Sequence, residues 1–209
     1  VVGGPVRDAL LGRPTHDLDF TTNARPDDIL QIVTPISTAR WDIGREFGTI
    51  GARISGEQVE ITTYRSDEYD GETRKPVVAF GDTLEGDLVR RDFTVNAMAL
   101  RVPGPQLVDP TGGVEDLVGR VLRTPIDPTV SFGDDPLRMM RAARFASQLE
   151  FDVVPETLEA MSALRDTISI VSAERVQSEL TRMLQTDDPV RGIRILVDTQ
   201  IAEIVLPEI

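Results

Sequence analysis

His16-Asp17-Leu18-Asp19-Phe20-Thr21-Thr22, set a short distance after Val2-Gly3-Gly4-Pro5-Val6-Arg7-Asp8, decides how this chain is read. In an extended strand residues i and i+2 point to one face, about 6.6 Å apart along the chain. Asp17 and Asp19 then place two carboxylates over one surface patch. Such a patch suits Mg²⁺, which takes oxygen ligands, keeps part of its water and is held by one or two carboxylates together with substrate phosphates. A lone Asp-x-Asp is also common in solvated loops and helix caps. The upstream glycines therefore carry weight.

Gly3-Gly4 precedes Pro5-Val6-Arg7-Asp8-Ala9-Leu10-Leu11-Gly12, which reads as a short helix with Pro5 in its first turn and Gly12 as its stop. A turn without side chains at a helix start offers backbone N–H groups and a positive dipole end to an anion such as a triphosphate. An ordinary strand-to-helix turn has the same composition. Arg7 either adds charge for phosphate or is an exposed helix residue.

Composition sets wider limits. A chain of 209 residues holds one compact domain plus part or all of another. It has no cysteine, which excludes disulfide scaffolds and cysteine-based metal sites and fits a cytoplasmic setting. With a single histidine, His16, a zinc site is not expected either. No apolar stretch approaches the ~18 residues of a membrane span, and no signal-peptide pattern opens the chain. The net charge of −13 repels a polyanion at long range, so any nucleic acid binds locally or elsewhere. Of 22 basic residues only Lys75 is lysine, and arginine's planar fork suits phosphates and base edges.

The first 125 residues mix strands with helices, and the rest reads as purely helical. Ala52-Arg53-Ile54 and Gln58 to Arg65 flank Ser55-Gly56-Glu57 as a hairpin. In its second strand Val59 and Ile61 face one side, Glu60 and Thr62 the other. If that strand lies beside the Asp17/Asp19 strand, Glu60 becomes a third carboxylate at the same face; otherwise it is an exposed strand residue. Asp67 to Pro76 reads as a mobile polar loop. In Asp87-Leu88-Val89-Arg90-Arg91-Asp92-Phe93-Thr94-Val95-Asn96, a helical turn precedes an apolar strand. There Asp92 either caps the turn or, with Asn96, fixes a sugar hydroxyl or loop backbone while Arg91 meets phosphate. Asp109-Pro110-Thr111-Gly112-Gly113 reads as a hinge turn.

The helical part opens with Asp134-Asp135-Pro136-Leu137-Arg138-Met139-Met140-Arg141-Ala142-Ala143-Arg144. Asp135 and Arg138 are three apart and meet on one helix face, either as a surface ion pair or as a recognition pair. A carboxylate accepts and a guanidinium donates, so together they match an amino donor beside a ring-nitrogen acceptor. Cytosine and adenine offer that edge; uracil and guanine present the reverse. Further helices are expected at Pro155 to Leu164, Ser172 to Leu184 and Pro189 to Val197, with Val176, Leu180, Met183 and Leu184 toward the core. Ser172 and Asp188 are the expected caps. Arg175 lies on the polar side of its helix, able to reach a nucleotide.

In order, Gly3-Gly4-Pro5-Val6-Arg7-Asp8 with Asp17-Leu18-Asp19, Arg90-Arg91-Asp92-Phe93-Thr94-Val95-Asn96-Ala97, Asp109-Pro110-Thr111-Gly112-Gly113, Asp134-Asp135-Pro136-Leu137-Arg138 and Ser172-Ala173-Glu174-Arg175 resemble the motifs of class II tRNA nucleotidyltransferases. These are the bacterial-type CCA-adding enzymes and their poly(A) polymerase relatives. The resemblance implies an α+β fold: a polymerase-β-like nucleotidyltransferase head over residues 1–125 and an all-α neck over 126–209 that holds the templating residues. It implies Asp17 and Asp19 as metal ligands, Glu60 as the third catalytic acid, and Asp135 with Arg138 as the base-reading pair. Gly3, Gly4, Arg7, Arg91, Asp92, Asn96, Arg141, Arg144 and Arg175 complete the nucleotide-binding set. The implied reaction is Mg²⁺-dependent transfer of CMP and AMP from CTP and ATP to the tRNA 3′ end, two ions assisting, with release of pyrophosphate. A poly(A) polymerase or A-adding enzyme shares these residues, and a non-catalytic nucleotide-binding module or a helical interaction domain is the alternative of another class. Position 134 is Asp where the family commonly has Glu. The chain also resembles a fragment that lacks body and tail domains, so tRNA contact is expected mostly through parts outside it, with no DNA or membrane partner.

Overall fold

The computed structural model describes residues 1–15, 17–42, 44–68, 77–81 and 83–207, with backbone alone for residues 17, 66–68 and 77–80. They form two compact units, one of Val1–Arg91 with Asn96–Thr111 and one of Asp92–Val95 with Gly112–Ile209. The division falls inside the Asp109 to Gly113 turn.

The first unit runs α1 (Gly4–Leu10), β1 (Asp17–Thr22), α2 (Pro26–Val33), β2 (Ser37–Trp41), β3 (Thr49–Ile54), β4 (Glu57–Thr63), β5 (Arg65–Glu68), β6 (Val77–Phe80), α3 (Leu84–Val89), β7 (Ala99–Arg101) and β8 (Gln106–Val108). Proline in the first turn starts α1, as expected. Four strands form a sheet in the order β1-β4-β3-β2, with β1 parallel to β4 and the other pairs antiparallel. The expected hairpin is β3–β4, turning through Ser55 and Gly56, both at positive φ, the conformation that suits tight hairpins. Asp67 and Glu68, expected in a loop, instead pair with Val78 and Val77 as β5 and β6; the rest of that loop, 69–76, including Lys75, lies outside the described residues.

Alternation along the strands gives the sheet two unlike faces. Ile50 and Ala52 of β3 lie opposite Ile61 and Val59 of β4; Ile50 and Ala52 join Ile29 and Val33 of α2 in a buried apolar cluster, against which the partly buried Ile61 packs. Burying Ile29, Val33 and Ile50 stabilises the fold by about 1.5–3 kcal/mol each. The other face carries Asp19, Glu60 and Gly51. A second cluster joins Val2, Leu84, Leu88 and Ala99, so α3 packs onto β7. The sequence reading missed α3, which Thr83 caps by accepting from the Gly86 N–H.

The second unit contains α4 (Gly113–Gly119), β9 (Val121–Leu122), α5 (Pro128–Asp134), α6 (Leu137–Leu149), β10 (Asp152–Val153), α7 (Pro155–Leu164), α8 (Ala173–Leu184), α9 (Pro189–Asp198) and α10 (Ala202–Val205). The expectation of a purely helical C-terminal part is corrected by β10, which pairs in parallel with β9. Helix α6 is central, with Leu137, Met139, Met140, Ala142, Ala143, Phe145, Ala146 and Leu149 buried. Leu184, expected in the core, is 51% exposed because Met183, about 100° away around α8, takes the inward position. Ser172 caps α8 through the Arg175 N–H, whereas Asp188 precedes α9 without a side-chain cap bond. Among the described residues no helix is long and apolar enough to cross a membrane.

Candidate active site

The opening residues are clasped between two strands. Val2 N–H donates to the Asp19 carbonyl at 2.9 Å and Gly3 N–H to the Met98 carbonyl at 3.1 Å, which sets the glycine turn against the strand position of Asp19. Gly3 adopts φ 71 and ψ −135, a conformation that side chains rarely tolerate. A Cβ there would lie 2.8 Å from Arg91 Nη1, and one at Gly4 would lie 3.6 Å from Arg7 Nη2. Two guanidiniums therefore flank a bare turn. Arg7 is not an exposed helix residue: it is 4% exposed, donating to Asn96 Oδ1 at 2.6 Å and to Asp8 at 2.8 and 3.0 Å. Arg91 Nη2 lies 3.4 Å from Asp87 Oδ2, while its buried Nε meets no acceptor among the described residues.

The parallel β1–β4 pair answers the condition set for Glu60. Asp19 is in register with Glu60, and Glu60 with Gly51 of β3. Neighbouring strands are about 4.8 Å apart and residues in register share a face, so Glu60 stands beside Asp19. The Asp17 backbone pairs with Gln58, but its side chain lies outside the described residues, as does His16. Among the described residues no three His, Cys, Asp or Glu side chains gather to hold a metal ion. The neighbouring row is Thr21, Thr62 and Thr49, with Thr49 and Thr62 hydroxyls 3.0 Å apart and Arg65 Nη2 donating to Thr49 at 3.1 Å. Trp41, the single tryptophan, ends the acidic row: its indole lies over Gly51 so closely that no side chain fits there. The sequence reading singled out neither residue.

The second unit carries a separate charged constellation. Asp92 Oδ1 accepts the Phe93 N–H at 2.8 Å, and Oδ2 accepts Arg141 Nε and Nη2 at 2.8 and 2.6 Å. Glu179 pairs with Arg144 Nε and lies 3.7 Å from Arg141, and Arg144 Nη1 donates to Gln148 at 2.6 Å. The two guanidiniums lie 5.4 and 3.9 Å from the Phe145 ring, which Phe93 meets edge-on. Burial draws Arg141 downward, but the charge and hydrogen bonds of Asp92 outweigh it and hold the guanidinium above its ordinary pKa. For Arg144 burial wins over Glu179 and the value is lowered. Glu179 was not foreseen, although its three- and four-residue spacing from Val176 and Met183 marks it as inward-facing.

Asp135 and Arg138 do not follow the helix-face argument, because Asp135 stands in extended backbone at φ −144 before α6. Asp135 Oδ1 accepts the Leu137 N–H at 3.2 Å and Oδ2 pairs with Arg175 Nη2 at 3.1 Å. Arg138 Nη1 donates to the Ser131 hydroxyl at 2.7 Å and carbonyl at 3.2 Å. Both side chains are thus fixed by other residues, Ser131 among them unforeseen.

A mixed α/β unit with strand carboxylates beside a glycine turn between two arginines has the layout of a nucleotide-handling head. Residues 1–123 match the family described as "Poly A polymerase head domain", and residues 150–209 match "Probable RNA and SrmB- binding site of polymerase A". The chain belongs to this family of CCA-adding enzymes and poly(A) polymerases. It is 40% identical over 203 residues to the CCA-adding enzyme of Bacillus pumilus, covering 97% of this chain and 50% of that protein. With the CCA-adding enzyme of Levilactobacillus brevis it shares 42% over 199 residues, covering 95% and 49%. The crystal structure of the Bacillus stearothermophilus CCA-adding enzyme in complex with CTP superimposes with a TM-score of 0.86 at 36% identity, over 96% of this chain and 47% of that one. The Thermotoga maritima CCA-adding enzyme complexed with tRNA_CCA gives 0.83 at 27%, over 100% and 48%. The chain spans about half the length of these relatives.

Proposed function

We propose that this chain supplies the catalytic and base-selecting parts of a CCA-adding tRNA nucleotidyltransferase of the cytoplasm, which transfers CMP and AMP from CTP and ATP to the tRNA 3′ end and releases pyrophosphate. The observation that carries the reading is the registered Asp19–Glu60 pair beside the Gly3 turn and Arg91. Residues 1–125 act as the head and 126–209 as the helical neck.

Adjacent carboxylates on one sheet face are hard-oxygen donors that fit Mg²⁺, with Asp17 and Asp19 as the holding residues and Glu60 as the third acid. When bound, the metal lowers the pKa of the attacking 3′-hydroxyl and offsets charge on the leaving pyrophosphate. Arg91 and the bare Gly3-Gly4 backbone orient the triphosphate, with Arg7 and Asn96 bracing the turn. Their contribution is positioning and charge stabilisation. Asp135 presents acceptors and Arg138 donors, the pattern that cytosine and adenine complement. Arg175 and Ser131 hold these two in place; Asp92, Arg141 and Arg144, already paired inside the unit, brace α6.

CCA addition is favoured over poly(A) synthesis by the curated relatives at about 40% identity, which are CCA-adding enzymes. The test is addition to tRNA lacking its terminal CCA, supplied with CTP and ATP separately. Asp19→Ala in the full-length protein is expected to reduce CMP addition at least a thousandfold with thermal unfolding unchanged. Activity within tenfold of the parent refutes the assignment.

A further inference from the structure

We propose that Asp87 is the positioning residue for Arg91: its buried carboxylate holds the guanidinium against the Gly3 turn, ready for the triphosphate. The inference rests on the reading of Arg91 as a phosphate contact. Asp87 is 6% exposed in α3, and three elements converge on it. Its Oδ2 accepts from Thr21 Oγ1 at 3.1 Å and lies 3.4 Å from Arg91 Nη2; its Oδ1 accepts the Arg65 backbone N–H at 3.3 Å.

The three contacts differ in what they require. Thr21 and the Arg65 amide are neutral donors, which any oxygen acceptor satisfies. Arg91 is a cation on a long, flexible side chain, and it gains from a full negative charge at a fixed place. Because Oδ2 is shared by Arg91 and Thr21, the guanidinium is tied to β1 two residues past Asp19. Only one edge of the guanidinium is consumed: Nη1 stands at the Gly3 turn and Nε meets no acceptor among the described residues. Asp87 thus takes Nη2 and leaves Nη1, at the Gly3 turn, for an anion. The sequence holds the signal as an Asp four residues before an Arg at the end of a helix.

The experiment is a double-mutant cycle in the full-length protein, with KM and kcat for CTP measured on tRNA lacking its terminal CCA and thermal unfolding followed for each variant. Asp87→Asn keeps the size but removes the charge and one acceptor. It is expected to raise KM for CTP about tenfold with kcat within twofold, the pattern of a lost binding contact. Arg91→Ala should raise KM at least as much. On the Arg91→Ala background, Asp87→Asn should add less than twofold, because a residue that acts through Arg91 has nothing left to position. An equal Asp87→Asn effect on both backgrounds, or none on the parent while Arg91→Ala acts, overturns the positioning role. If Arg91→Ala leaves KM unchanged, the phosphate reading of Arg91 itself fails. Should Asp87→Asn not fold, Asp87→Glu, which keeps the charge but displaces it by a methylene, enters the cycle under the same criterion.

Discussion

Gly3 shares its space with Arg91: at φ 71 and ψ −135 a side chain costs about 1–3 kcal/mol in backbone strain, and its Cβ would sit 2.8 Å from Nη1. Gly3→Ala is expected to displace the guanidinium and raise KM for CTP at least fivefold, with a modest drop in unfolding temperature. A variant that loses stability but keeps its KM would remove Arg91 from phosphate binding. At this scale the sequence was informative wherever a local period fixes direction. The two-residue period put Glu60 opposite Val59 and Ile61, and only the β1–β4 pairing, a long-range fact, was needed to set it beside Asp19. It failed at Asp135, where a helical spacing was read across Pro136, although the residue before a proline is biased out of the helix. Asp87 escaped notice because a carboxylate among other charged residues looks solvated until its burial is known.

Helices α6 and α9 cross with almost no space between them. A Cβ at Gly192 would lie 2.5 Å from the Ala143 carbonyl, 2.4 Å from Met183 Sδ and 2.8 Å from Ser147 Oγ, whose hydroxyl accepts the Gly192 N–H at 2.8 Å. Backbone cannot yield as a side-chain tip does, so Gly192→Ala is expected to destabilise the second unit by about 1–3 kcal/mol. Gly133→Ala, with nothing within 4 Å of its Cβ, is the control and should not lower stability. A denaturant titration of the two variants decides; equal midpoints would mean that the crossing relaxes freely. Elements announced by a first-turn proline, such as α7 and α9, were legible almost to the residue. The short α3 and α4, which lack a first-turn proline, were not, since six or seven residues carry too little periodicity of their own; α5 was missed although Asp127 and Pro128 announce it. β9 and β10, two residues each, exist only through their pairing.

The whole chain carries 35 acidic against 22 basic residues, so long-range electrostatics oppose any polyanion even though individual arginines favour phosphate. The two effects respond oppositely to salt. Local guanidinium–phosphate contacts weaken by about 0.7 log unit per contact for each tenfold rise in salt, giving a slope of roughly −1.5 to −2 for two or three contacts. Repulsion from the net charge of −13 is screened beyond about 8 Å at physiological ionic strength, which pulls the slope back toward zero. Binding of tRNA to this 209-residue chain, followed by filter retention between about 50 and 200 mM salt, is therefore expected to be weak with a slope shallower than about −2. A slope near −5 would require a basic surface contacting about seven phosphates, and the tRNA-gripping role would then belong to this chain itself.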